Sequence, residues 1–91
     1  MDQLSLGICI ETVDQTGEIL SVYFTVRKGK TKVTKELVDG LVFTDYDKDG
    51  KLLGIEMLGP VQIGFIEKLP RNNRVRNFVK ESIPRGMLVA P

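Results

Sequence analysis

Histidine is absent from this sequence of 91 residues, and cysteine occurs once, at Cys9. Without histidine there is no usual zinc set and no Ser-His or Cys-His pair. Nor is there a side chain that ordinarily titrates near neutral pH. A single thiol closes no internal disulfide, which suits a reducing cytosol and leads to the expectation of a cytoplasmic protein. Long apolar runs are missing too; none approaches the roughly 18 residues of a membrane span. The opening "MDQLSLGICIETVDQ" has neither a basic leader nor a cleavage site, so no signal peptide is expected. An excess of one charge is also lacking. Lys and Arg number 13 against 12 Asp and Glu, and the net charge is +1. No global field draws in nucleic acid or an anionic membrane, and binding to either would need a local patch.

Hydrophobic residues make up 42% and charged residues 27%, an ordinary globular balance. The length suggests one domain over 1–91, able to bury roughly two-thirds of its unfolded surface. Its first two-thirds reads as strands. In "LSLGICIE", Leu4, Leu6, Ile8 and Ile10 alternate with Ser5, Gly7, Cys9 and Glu11, a period of two with one apolar face. Cys9 has no base or cation beside it in sequence and reads as a small packing residue. After "QTGE", the segment "ILSVYFTVR" sets Leu20, Val22, Phe24 and Val26 on one face. "RKGK" turns around Gly29. "KTKVTKELV" places Val33 and Leu37 inward and Lys30, Lys32, Thr34 and Glu36 outward. That many lysines suit a solvated edge strand protected from unwanted pairing.

Beyond "GP" at Gly59 and Pro60 the pattern changes. Val61, Ile63 and Phe65 alternate, which predicts a sixth strand over residues 61–68, with a short helical turn as the other reading. "LPRNNRVRNFVKESIP" reads as a helix. Val75, Phe78, Val79 and Ser82 or Ile83 share a face, Asn72 or Asn73 caps its start, and Pro84 stops it. The apolar tail "RGMLVAP" is expected to dock, either on the chain's own sheet or on a second copy. Short connections favour neighbouring antiparallel strands. The expected fold is α+β: an antiparallel β-meander of about five or six strands with one C-terminal helix.

"DYDKDGKLLGIE", Asp45 to Glu56, matches a calcium loop. Asp45, Asp47 and Asp49 fall at positions 1, 3 and 5, Gly50 at 6 and Glu56 at 12. The flanks argue otherwise. Val42, Phe43 and Thr44 are strand formers, and Gly54 weakens a helix on the other side. Asp47-Lys48-Asp49-Gly50 suits a type I turn followed by a left-handed glycine, a common three-residue hairpin connection. Glu56 then lies some six residues along the outgoing strand, away from the tip. A hairpin without a metal site is expected. Asp45 is unusual in a strand and calls for a neighbouring backbone group or lysine.

The stretch "DYDKDGKLLGIEML" resembles the signature of domain of unknown function family 2283, a small prokaryotic β-rich domain. Members read Asp-x-Asp-x-x-Gly, a short apolar stretch, then Gly-Ile-Glu, and Gly50, Gly54, Ile55 and Glu56 match. Upstream, "VDQTGEILSVYFTV" is similar to the family's opening through Asp14, Val22, Tyr23 and Phe24, with Val13 where members carry a tyrosine. The likeness spans roughly residues 13–58. It implies a β-rich cytosolic domain with no assigned activity.

No nucleophile is spaced with a base, and no cofactor motif occurs. Glu56 is the single residue to test for enzymatic chemistry, as a general base. The expected function is therefore a non-enzymatic module that self-associates, as a dimer, or binds a partner protein. Its alternative is a nucleic-acid-binding module using the basic C-terminal helix, with Arg71, Arg74 and Arg76 as the candidate contacts beside Lys80 and Arg85. Those basic residues flank both sides of the helix's apolar face, as side chains around a docked helix do. The apolar tail and a lysine-free edge at "LSLGICI" favour the dimer.

Overall fold

In a computed structural model that describes residues 3–89, five antiparallel strands form one sheet. They are β1 (Gly7–Thr12), β2 (Ile19–Thr25), β3 (Val33–Val38), β4 (Val42–Tyr46) and β5 (Leu52–Met57). A 3-10 turn (Ile63–Lys68), helix α1 (Asn73–Ser82) and a second short 3-10 turn (Arg85–Met87) follow. The class is α+β. Strand order is β1-β2-β5-β4-β3, so the order is not sequential throughout. β3, β4 and β5 run as a meander, β1 and β2 form a hairpin, and β5 closes against β2. No helix among the described residues is long and apolar enough to cross a membrane.

Alternation decides which face is covered. Val22, Phe24 and Val26 of β2 and the segment after it are fully buried, as are Val42 and Thr44 of β4 and Ile55 and Met57 of β5. They meet Val75 and Val79 of α1 and Phe65, Ile66 and Leu69 of the 3-10 segment in one core. Asn72 caps α1 as its type suggests, its Oδ1 accepting from the Val75 N–H at 3.1 Å. Among the described residues the opposite face carries no helix.

Residues 61–68 are not a strand. β5 is flanked on both sides, so a chain leaving it at Gly59 and Pro60 finds no free neighbour and folds over the sheet. Phe65 and Ile66 go inward while Ile63 stays exposed, a helical rather than an alternating pattern. Leu20 also departs from expectation. Glu11 pairs with Ser21 and Thr12 with Ile19, which makes Leu20 the extra residue of a bulge and leaves it 52% exposed. Val33, expected inward, is exposed on the edge strand β3. The apolar tail docks on its own domain. Met87 is buried, and Val61 pairs in parallel with Leu88, its N–H donating to Met87 O and its carbonyl accepting from Val89 N–H. Ala90 and Pro91 lie outside the described residues.

The Asp45–Glu56 stretch is a hairpin. Asp47 and Lys51 close a three-residue loop, Asp47 N–H donating to Lys51 O at 3.0 Å. Gly50 sits at φ 79°, a left-handed value natural only to glycine. Asp47 Oδ1 accepts from the N–H groups of Asp49 and Lys51, at 2.8 and 2.9 Å, so this carboxylate builds the turn.

Candidate functional site

Two straight rows of residues cross the uncovered face. One reads Cys9, Tyr23, Glu56, Phe43, Glu36; the other reads Gly7, Thr25, Gly54, Asp45, Thr34. Gly54, on the central strand, leaves a gap in the second row. The ring of Tyr23 fills it diagonally, so that a Cβ on Gly54 would collide with Tyr23 Oη and Cζ. With no side chain in its way, the tyrosine reaches past β5 to β4. Its hydroxyl donates to Asp45 Oδ2 at 2.9 Å, and Thr34 on β3 donates to Asp45 Oδ1 at 2.6 Å. Asp45 thus bonds two hydroxyls rather than a backbone group or a lysine, and the cluster laces β2, β4 and β3 together across β5.

Electrostatics keep the Tyr23 hydroxyl protonated. Burial, then the hydrogen bond to Asp45, then the charges of Asp45 and Glu56 push the Tyr23 hydroxyl up to about 12. It is a fixed donor, not a base or nucleophile at neutral pH. Both oxygens of Asp45 are occupied. Among the described residues no group of three or more potential ligating side chains gathers. Asp45 is on the strand, Asp47 in the turn, and Glu56 beside Tyr23 and Phe43, so the hairpin spreads what the calcium pattern would collect.

The raised value has a pH consequence. Tyr23 titrates near 10.0 when unfolded and about 12 when folded. Its contribution is therefore fully present below pH 10 and is lost as pH rises through 12. Urea denaturation from pH 9 to 12 should show a steeper fall for the parent than for Tyr23→Phe. Identical slopes would mean that the hydroxyl is neither buried nor held by Asp45 in solution.

The arginines expected as a nucleic-acid contact separate. Arg71 is exposed in the loop before α1, beside a hollow of about 240 Å³ shared with Arg27, Lys51 and Asn72. Arg74 is exposed on α1. Arg76 points elsewhere: it donates to Leu69 O at 2.6 Å and to Glu67 O at 3.2 Å, and lies 3.6 Å from the Glu67 carboxylate. It straps the 3-10 segment to the helix. Spacing singled out Asp45 but not Tyr23 or Thr34, because spacing along one chain does not say which strands become neighbours. Tyr23 had a signal in the resemblance, whose matched residues also include Gly54 and Glu56, and Thr34 had none.

A family model described as "Protein of unknown function (DUF2283)" matches residues 12–59, the segment from the end of β1 through β5 that holds the whole cluster. Neither a curated protein nor a solved structure matches the chain.

Proposed function

Since the chain belongs to the family "Protein of unknown function (DUF2283)", whose description carries no activity, we propose that it is a non-catalytic, self-associating module of the cytoplasm that dimerises through the β1 edge. The observation that carries this is the state of that edge. β1 has β2 on one side and no neighbour on the other among the described residues. On the helix-bearing side of the sheet, Ile8 and Ile10 lie opposite Phe24 and Val22, yet they are 41% and 45% exposed because α1 does not reach them. They make an apolar strip at the rim. The opposite edge is guarded: β3 follows Lys30 and Lys32, and Lys35 caps the Tyr46 ring at 5.1 Å. β1 contains no lysine.

Antiparallel pairing of β1 with a second copy, centred on Cys9, sets Ile8 against Ile10 and Gly7 against Glu11. No like charges then oppose each other, and two apolar strips become one. The reversed direction also brings the acidic end of one copy, with Glu11 and Asp14, toward the Lys28 end of the other. The Tyr23 cluster contributes by stiffening the sheet that presents the edge. The tail supports its own domain and plays no part in the interface.

Cys9 is a convenient reporter. Directly opposed residues lie about 4.5–5.5 Å apart at Cα, within the roughly 4.4–6.8 Å of a disulfide. Mild oxidation should trap a covalent dimer through Cys9, and Ile8→Lys should give a monomer by light scattering. A parent that is monomeric at high micromolar concentration ends this reading. So does a dimer that Ile8→Lys leaves intact.

A further inference from the structure

The net charge of +1 conceals a strong separation along the strands. Three segments distant in sequence meet at one end of the sheet: the β2–β3 connection, the β4–β5 turn and the loop before α1. They bring exposed Lys28, Lys30, Lys32, Lys48 and Arg71 together, and among the described residues none of these five is ion-paired. Among the described residues the carboxylates at this end are Asp47 and Asp49, and Asp47 has one oxygen turned onto the amides of its own turn. An open groove of about 530 Å³ separates the first two segments, lined by Lys30, Lys32, Lys48, Gly29, Thr31 and the two aspartates. The far end of the sheet carries Asp14, Glu18 and Asp39 in its turns.

We infer that the lysine-bearing end is a contact surface for the phosphate backbone of double-helical nucleic acid, without sequence preference. Three features choose this partner. The surface is rich in lysine and has no exposed aromatic or aliphatic centre, whereas protein interfaces are depleted in lysine and built around such a centre. Membrane binding is helped by large apolar side chains beside the cations. Of the exposed large apolar residues, Ile8, Ile10, Leu20, Leu58, Ile63 and Val89 lie elsewhere, and Val33 alone is near. Single strands are held by stacking on aromatic rings, but Tyr46, the ring nearest this end, is covered by Lys35. What is left is point charges facing phosphates, the sequence-independent part of nucleic-acid binding. The contact lies on the sheet end and not on the outer face of α1.

Anisotropy of a labelled mixed-sequence duplex, titrated with the whole chain at several salt concentrations, tests this. Expected is a dissociation constant of about 1–100 µM at low salt, with a log–log salt slope of about −3 to −4, one phosphate per lysine. Lys30→Glu/Lys32→Glu/Lys48→Glu should weaken binding at least about tenfold and flatten the slope, its melting curve unchanged. Arg74→Glu/Lys80→Glu should leave binding intact. The inference is overturned by absence of saturable binding at low salt, or by the helix variant losing as much as the lysine variant. It is also overturned if polyglutamate binds and the duplex does not, which would make this surface a dock for acidic proteins.

Discussion

Phe24→Ala should lower stability by about 3–5 kcal/mol, the usual range for an aromatic removed from a core. Phe24 is fully buried on β2 and stands edge-on to Phe78 of α1, with ring centroids 6.0 Å apart at 88°. That pair joins the sheet to α1, so its loss opens a cavity and removes an aromatic contact between the two layers. Domains of this size hold on the order of 5–15 kcal/mol in total, and each kcal/mol moves the melting point by about 4–8 °C. A fall of about 15 °C or more is expected, or loss of a cooperative transition altogether. Phe78→Ala should cost less, since Phe78 is only partly buried. Calorimetry on the two variants decides the matter. If Phe78→Ala proves the costlier, or Phe24→Ala melts like the parent, helix and sheet are not joined through Phe24.

Gly54→Ala, a change of one methyl group, should cost about 2–3 kcal/mol. Overpacking of this kind costs about 1–3 kcal/mol. The Tyr23 ring, displaced by the new Cβ, would also surrender its bond to Asp45, worth about 0.5–1.5 kcal/mol. Against this stands the ordinary preference for alanine over glycine within a strand, about 0.5–1 kcal/mol. The two contributions are separable. In a Tyr23→Ala background the obstacle is gone, so Gly54→Ala should there be neutral or slightly stabilising. The coupling from the double-mutant cycle should be about 2–3 kcal/mol. Equal costs in both backgrounds would place the defect in the backbone at Gly54 and remove the tyrosine from the explanation.

The glycine at position 54 also shows what can be read from letters alone. Its place in a strand was legible, because Leu52 to Met57 follows a strong turn signal and is rich in strand formers. Its reason was not, because the side chain resting on it comes from Tyr23, three strands earlier in the sequence. The same limit governs the rest of the fold. The β4–β5 hairpin, the Asn72 cap, the stop at Pro84 and the lysine-protected edge at β3 depend on near neighbours, and local chemistry settles them. The place of β5 beside β2, the bulge at Leu20 and the 3-10 path over the sheet at 63–68 depend on distant partners. Residues 61–68 misled because alternation over so few positions also fits one turn of helix with a single exposed member. Arg76 looked like part of a basic cluster, but carbonyls of the 3-10 segment had claimed its guanidinium.

The central position of β5 has a consequence during synthesis. A nascent chain that has emerged as far as Tyr46 carries the strands of two hairpins, β1–β2 and β3–β4, which do not pair with each other in the fold, and a lone two-stranded hairpin is at best marginally stable in water. The strand that unites them is the last to be made, and the helix that seals Phe24 and Val42 comes later still. Until then those two side chains face water, together with Val22 and Val26. The unsealed half-molecules expose free sheet edges and apolar surface, the combination most open to mispairing on a crowded ribosome. Most of the sheet therefore assembles late and nearly at once, when residues 52–57 slot between the waiting pairs. A ribosome stalled before that point releases no smaller version of this fold.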